Sequence, residues 1–220
     1  MKNTMNILNL KRLVLIAFII FSFVNLRSSS PEYYMVMTNN VKIADTTNSV
    51  EGLIAIADQF EQVSSVDTSE WLPLYYAAFA LSRASFSISD NAKRDATVDH
   101  AIELLNKALA LNPGESEIFA LLGFTYLAKL NVQPMVRGME YTQKAQATLE
   151  QAKAMNPANP RPEYLIGTIT YHMPSFLGGG KEKALPQLQA AMLKFDAFTP
   201  SDSIMPNWGR RHCLSLINQK

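Results

Sequence analysis

The segment AIELLNKALALNP, residues 101–113, returns 44 positions later as AQATLEQAKAMNP, residues 145–157. The shared positions are Ala101, Leu105, Ala108, Asn112 and Pro113, which recur as Ala145, Leu149, Ala152, Asn156 and Pro157. Gly123 and Gly167 keep the same offset. Self-similarity at a fixed period is typical of repeat architectures. The echo therefore predicts a short helical solenoid, whose usual task is binding.

Apolar residues recur at helical spacing through almost every segment after residue 31, and no segment alternates with a period of two. This pattern predicts about nine helices and no strands. Eight of them form pairs: 32–44 with 48–65, 70–88 with 94–111, 115–131 with 137–155, and 161–173 with 181–196. A linker over 199–206 leads to a last helix over 207–218, which we expect to cap the apolar end of the stack.

The N-terminus has the layout of a secretory signal. Lys2, Lys11 and Arg12 precede an apolar run of about 12 residues, which is shorter than the roughly 20 that span a bilayer. We therefore predict a signal peptide over 1–30 and a helical repeat domain over 31–220. A retained signal anchor stays open, because no clear cleavage site is visible. The protein is expected to be exported, periplasmic or secreted, with an inner-membrane tether only if the anchor is retained.

Composition excludes few function classes. Apolar residues make up 48% of the chain, which is enough for a sizeable core. Without residues 1–30 the chain has 16 basic and 19 acidic residues, and this net charge of −3 argues against a nucleic-acid partner. Cys213 is the single cysteine, so an internal disulfide is excluded, and we expect it to pack as a small apolar residue.

The third predicted pair carries a recognisable pattern. Phe119, Leu122-Gly123 and Tyr126 lie on its first helix, Ala145, Leu149 and Ala152 lie on its second, and Pro157 closes the turn. This pattern resembles the tetratricopeptide repeat (TPR). The resemblance implies an all-α, TPR-like α-solenoid of about four helix pairs with elongated repeats and a C-terminal capping helix. The period of 44 exceeds the usual 34, so a HEAT-like repeat remains the structural alternative.

Several longer segments are similar to the small exported TPR proteins of Gram-negative bacteria. These segments are EWLPLYYAA (70–78), QPMVRG (133–138), FLGGGKEKALP (176–186) and PNWG (206–209). The resemblance implies an exported address and a fold, and it implies no activity. Part of 176–186 is also similar to periplasmic TPR subunits that serve solute uptake.

The concave face of the predicted stack is one candidate for partner binding. If the repeats align, the first helices of the pairs present seven side chains there: Tyr76, Phe79, Phe124, Leu127, Tyr164, Thr168 and Tyr171. An aromatic groove suits a peptide or a helix of a partner, because aromatic side chains anchor interfaces. The alternative is that some of them belong to the core.

The turns inside the pairs are a second candidate, because the ten extra residues of each repeat lie between its two helices. Three turns, over 87–95, 131–138 and 173–181, would fall on one edge of the solenoid, and such insertions often line a binding face. The candidate residues are Gln133, Arg137, Phe176, Gly178, Gly179, Gly180 and Lys181. The alternative is that the extra residues only join longer helices. The glycine run lacks the spacing of a phosphate-binding loop.

No catalytic or metal-ligating arrangement stands out. His100, His172 and His212 are far apart and lack ligand spacing, and no nucleophile or carboxylate pair is evident. We therefore predict no enzyme activity, no metal and no cofactor. The leading hypothesis is a protein-interaction scaffold or adaptor of the cell envelope that binds an unknown protein or peptide. A periplasmic solute-binding or transport-accessory subunit is the alternative, and self-association through the inner face is a third.

Overall fold

A computed structural model of the chain describes residues Ser30–Gln219, so nearly all of the predicted signal segment lies outside the described residues. The described chain divides after Tyr34, and the surfaces considered for binding all lie in the unit that begins at Met35. Among the described residues, no helix is both long and apolar enough to cross a membrane.

Between Ser30 and Gln219 the chain forms nine α-helices and no strand, as the periodicity predicted. They are α1 (Pro31–Thr46), α2 (Val50–Val66), α3 (Trp71–Ser85), α4 (Asn91–Leu111), α5 (Ser116–Val132), α6 (Pro134–Met155), α7 (Pro160–His172), α8 (Lys181–Ala197) and α9 (Arg210–Asn218). A short 3₁₀ turn, Ser175–Leu177, precedes α8. Successive helices pack as α3 with α4, α5 with α6 and α7 with α8, and the first helices of these pairs also contact one another.

Local sequence explains where the helices begin. The side chains of Ser49, Asp90 and Asn159 accept hydrogen bonds from backbone N–H groups in the first turns of α2, α4 and α7. Proline occupies the first position of α6 and of α7, where its missing N–H group costs least.

The residues that recur 44 positions apart pack between the two helices of each pair. The six positions of their alanine and leucine pattern are fully buried: Ala101, Leu105, Ala108, Ala145, Leu149 and Ala152. A Cβ atom added to Gly123 would lie 2.6 Å from a side-chain carbon of Leu149, and one added to Gly167 would lie 2.9 Å from Leu188. Glycine at these positions therefore lets the second helix approach the first, as predicted.

The extra length of the repeats lies mainly in longer helices. Gln133 alone separates α5 from α6, because Pro134 already begins α6. Helices α4 and α6 contain 21 and 22 residues, against 15 and 17 in α3 and α5. The prediction of a long turn over 131–138 was therefore wrong, and only the turn before α8 is extended.

Helix α9 caps the last pair, as predicted. Its Cys213 and Leu216 are buried in a core cluster with Ile169 of α7 and Leu188 of α8. The Cys213 sulfur also lies 3.4 Å from the carbonyl oxygen of Leu188, to which its thiol donates. The segment between α8 and α9, which the sequence indicated as a linker over 199–206, also contacts α3.

Candidate functional site

The segment Phe198–Gly209, called the C-terminal strap below, is fixed to helices α3 and α7 by its main chain. The Tyr76 hydroxyl on α3 donates a hydrogen bond of 2.8 Å to the carbonyl oxygen of Ile204. The Arg161 guanidinium on α7 donates to the carbonyl oxygen of Pro206. Ile204 and Pro206 are buried, whereas Asn207 is exposed. The strap therefore lies along the first helices of the pairs with alternate residues turned inward.

Trp208 is the aromatic anchor of the strap. Its indole ring stacks on Phe79, with ring centroids 5.0 Å apart, and lies 5.8 Å from the ring of Phe124. Its Nε1–H donates a hydrogen bond of 2.8 Å to the hydroxyl of Tyr75. The partly buried indole therefore has both an apolar contact for its ring and a partner for its N–H group.

The structure brings most of the predicted concave residues together beneath the chain's own C-terminal residues. Tyr76, Phe79 and Tyr164 are buried, and Phe124, Leu127, Thr168 and Tyr171 are partly buried. Tyr76, Phe79 and Phe124 contact the strap. Tyr164 shares a hydrogen bond of 2.7 Å with His212, and Tyr171 donates one of 2.7 Å to Gln219. Thr168 donates to the backbone of its own helix. In this conformation an external peptide does not reach the buried part of this face.

A buried ion pair holds the strap from below, and the sequence analysis missed it. Arg161 is fully buried, and its Nη1 lies 2.8 Å from Oε1 of Glu117, which is 4% exposed. The guanidinium also lies over the rings of Phe198 and Trp208, at 4.9 and 5.4 Å from their centroids. Glu117 and Arg161 are 44 residues apart, so they occupy equivalent positions of successive repeats. One repeat has a glutamate where the next has an arginine, and this change of charge inside a repeated pattern is the sequence signal from which the pair could have been predicted.

Burial affects the pKa of the Glu117 carboxyl more strongly than the neighbouring Arg161 guanidinium does. It raises the pKa of the Glu117 carboxyl from an ordinary 4.5 to about 7, although Arg161 and its hydrogen bond act in the opposite direction. The second oxygen of this carboxyl, Oε2, is buried, and no residue between Ser30 and Gln219 forms a hydrogen bond with it. Buried polar atoms are seldom left in this state.

Glu117 lies in a cleft of about 480 Å³ between the start of α5, the α6–α7 turn, the end of α8 and the strap. Its polar lining residues include Glu115, Glu117, Asn156, Lys194 and Ser201. Its apolar lining residues include Ala197, Phe198, Met205 and Pro206. A volume of this size falls in the range of small-ligand sites, roughly 300–1,000 Å³.

The opposite edge of the stack, where the helices of each pair are joined, is called the turn edge below. It consists of Phe86–Asp90, Gln133 and Met173–Gly180 together with the first turns of α4 and α8 and residues 134–139 of α6. Its apolar side chains are unusually exposed: Met135 99%, Val136 79%, Met139 79%, Phe176 85% and Leu177 62%. Exposed apolar patches often mark binding surfaces.

The charged candidates at the turn edge are engaged in structural contacts. Arg137 pairs with Asp95 through both of its terminal nitrogens, and the nearly buried Lys129 joins the same carboxylate. The Arg137 hydrogen bond, followed by Lys129, holds the pKa of Asp95 well below its usual range. Gln133 is exposed and begins α6 without a side-chain cap.

The glycine run before α8 forms a closed turn. The N–H groups of Gly178, Gly179 and Gly180 donate to carbonyl oxygens of Ser175, Pro174 and Thr170. Gly178 and Gly180 have φ angles of 93° and 109°, which glycine adopts without strain. Lys181 donates to the carbonyl oxygen of Gln219. Because these N–H groups already donate to backbone carbonyl oxygens, they are not available to an anion. The run forms the turn that leads into α8, as the sequence indicated. Over Ser30–Gln219, no group of three or more His, Cys, Asp or Glu side chains could hold a metal ion.

No protein-family model matches the chain, and a comparison with curated proteins finds no match either. Among solved structures, a TPR protein of Thermus thermophilus is similar, with a TM-score of 0.52 and 16% identity over 84% of this chain and 90% of that one. The chain has a TPR-like helical repeat fold. The TPR-like fold also extends to the HusA haemophore of Porphyromonas gingivalis, which is similar with a TM-score of 0.77 and 29% identity. That match covers 87% of this chain and 92% of the haemophore.

Proposed function

We propose that the protein is a non-enzymatic binding protein of the cell envelope whose ligand is a flat, apolar molecule of the haem class. The observation that carries this proposal is the similarity to a haemophore along almost the full length of both chains. A haemophore role fits the predicted export of the protein. It is a specific form of the solute-binding alternative that the sequence left open.

The turn edge is the surface that we assign to this ligand. A macrocycle requires an apolar wall, and Phe176 and Leu177 offer one that is largely free of contacts within the chain. His172, at the end of α7, is exposed beside this turn and contacts the ring of Tyr171 edge-on at 5.1 Å. Both imidazole and phenol side chains bind haem iron in proteins. Lys181 supplies a positive charge close by for an acidic substituent.

The test is a titration of the purified chain, without residues 1–30, with haemin and separately with iron-free protoporphyrin. We expect a shift of the haemin absorption band that saturates at one ligand per chain. The double variant Phe176→Ser/Leu177→Ser should bind about tenfold more weakly or worse, because burial of one aromatic side chain stabilises a complex by roughly 1.5–3 kcal/mol.

Leu193→Ser is the matched control. Leu193 is 73% exposed on α8 and lies away from the turn edge, so its variant should bind as the wild type does. If His172 binds the iron, His172→Ala should weaken haemin binding and leave protoporphyrin binding unchanged. Absence of saturable binding of either ligand would contradict the proposal. Equal losses in the Leu193 variant and in the double variant would remove the turn edge as the site.

A protein partner at the same edge is the second candidate, and it corresponds to the scaffold hypothesis. Met135 and Met139 lie one turn apart on α6 and are 99% and 79% exposed. Methionine side chains adapt to varied partner surfaces. Affinity capture from envelope extract with the wild type and with Met135→Ser/Met139→Ser tests this candidate. A partner that both chains capture equally would contradict a role for these methionines.

A further inference from the structure

The cleft beside Glu117 is distinct from the turn edge and lies on the opposite side of the helix pairs. Its lining residues come from four separated parts of the chain: the start of α5, the α6–α7 turn, the end of α8 and the strap. None of the residues that we assign to the haem-class ligand lies in this cleft.

The polar lining of the cleft favours a ligand that carries positive charge. Glu115 and Glu117 contribute two carboxylates, and Lys194 contributes one ammonium group. Lys194 is drawn towards Glu163, with its Nζ 3.1 Å from Oε2 of that residue. Lys194 is already paired with Glu163, and Glu117 is paired with Arg161, so among the described residues Glu115 is the lining charge that remains for a ligand.

The carboxyl of Glu117 also has an unmet need for a hydrogen-bond donor. Glu117 is 4% exposed, one of its carboxyl oxygens is paired with Arg161, and Oε2 has no hydrogen-bond partner among the described residues. A buried acceptor without a donor is costly, by an amount comparable to a lost hydrogen bond. A donor brought in through the cleft would satisfy it.

We propose that this cleft binds a primary alkylammonium group, with its N–H donors on Glu117 Oε2 and its alkyl chain between Phe198, Met205 and Pro206. The ligand class is therefore a short alkyl amine, either as a free molecule or as the end of a lysine side chain. This site is independent of the haem-class ligand, and either could exist without the other.

The probe is n-butylammonium chloride, and n-butanol is the matched neutral compound. We expect the amine to shift the methyl NMR signal of Met205 saturably in the wild-type chain and to leave the signal of the fully exposed Met135 unchanged. Butanol should bind at least tenfold more weakly, because it lacks the positive charge. Equal binding of the two compounds would overturn the proposal, as would the absence of a saturable shift at Met205.

Two variants locate the ammonium group. Glu117→Gln keeps the shape of the side chain and an oxygen for Arg161, and it should weaken binding of butylammonium at least tenfold. If that variant fails to fold, Glu115→Gln tests the same charge pair and should weaken binding severalfold. Glu51→Gln, at the start of α2, is the control and should bind normally. Unchanged affinity in a folded Glu117→Gln chain would overturn the assignment and would leave an ordered water as the partner of Oε2.

Discussion

The concave face and the turn edge looked equally suited to binding in the sequence, but they differ in the folded chain. The concave face carries buried aromatic rings that contact the strap, and Arg161 fixes this strap from below. No described segment covers the turn edge in this way, and Phe176 is 85% exposed there. The difference shows that an aromatic stripe on a repeat protein can be the surface on which the protein's own C-terminal segment packs. Exposed apolar residues at turns are then the better indication of a binding surface.

The largest effect should follow the removal of the strap's buried anchor. Arg161→Ala leaves the Glu117 carboxyl buried without a partner and removes the contacts to Pro206, Phe198 and Trp208. We expect a loss of about 3–5 kcal/mol in the free energy of unfolding, measured by urea denaturation at pH 8, which is above the pKa of about 7 of Glu117 in the wild type.

The exposed ion pair between Arg210 and Asp196 provides the control for Arg161. Both of its side chains are 54% exposed, so Arg210→Ala should cost about 1 kcal/mol or less. A loss below about 1 kcal/mol in Arg161→Ala would mean that the strap is not held by this contact. The concave face would then be as accessible as the turn edge.

Smaller effects should separate the packed interior of a pair from its turn edge. Gly123→Ala places a methyl group 2.6 Å from Leu149, and we expect it to destabilise the chain by about 1–3 kcal/mol. Gly138, in α6 beside the turn edge, has open space around it, so Gly138→Ala should stabilise the chain by about 0.5–1 kcal/mol. Thermal denaturation of both variants checks the contrast. Equal changes would show that the edge is as tightly packed as the interior.

The sequence predicted the helical framework well because that framework is local. Helical spacing, Asn-Pro turns and the two close-contact glycines each act within one repeat or between its neighbours. The strap could not be predicted in the same way. It has no apolar period, and its contact from Ile204 to Tyr76 joins residues 128 positions apart. Pro206-Asn207-Trp208-Gly209 was recognised only through a family resemblance, which carried no statement about where the tryptophan lies.

The candidate site was partly predictable for a similar reason. Phe176 follows Pro174 in a long turn, and the sequence placed it at the edge. Met135 was not among the candidate residues, although it lies inside the segment 131–138 that was expected to be a loop. Pro134 instead begins α6 directly after Gln133, and Met135 is 99% exposed in the first turn of that helix.

Acidity should affect the two sides of the molecule in opposite directions. At Asp95, near the turn edge, the folded pKa is lowered, so its contribution to stability is present above about pH 4 and is lost as the pH falls. At Glu117, which faces Arg161, Glu115 and Tyr75, the folded pKa is about 7 against 4.5. Its contribution is therefore present below pH 4.5 and is lost as the pH rises towards 7.

Unfolding free energies of the wild type, Asp95→Asn and Glu117→Gln between pH 3 and 8 check this contrast. Each carboxyl changes stability by at most about 1.4 kcal/mol per pH unit. Glu117→Gln should remove the decline between pH 4.5 and 7, and Asp95→Asn should remove part of the decline below about pH 4. Two variants with the same pH profile would contradict the opposite shifts.

The smallest effect should come from the turn edge itself. Met135→Ser replaces a side chain that is 99% exposed, so it removes almost no buried apolar area on folding. We expect the free energy of unfolding to change by no more than about 0.5 kcal/mol in thermal or urea denaturation. A loss above about 1 kcal/mol would mean that the methionine is covered in solution, by a second copy or by another part of the chain. A stable variant with weakened partner capture would instead separate binding at this edge from folding, which the buried concave face does not allow.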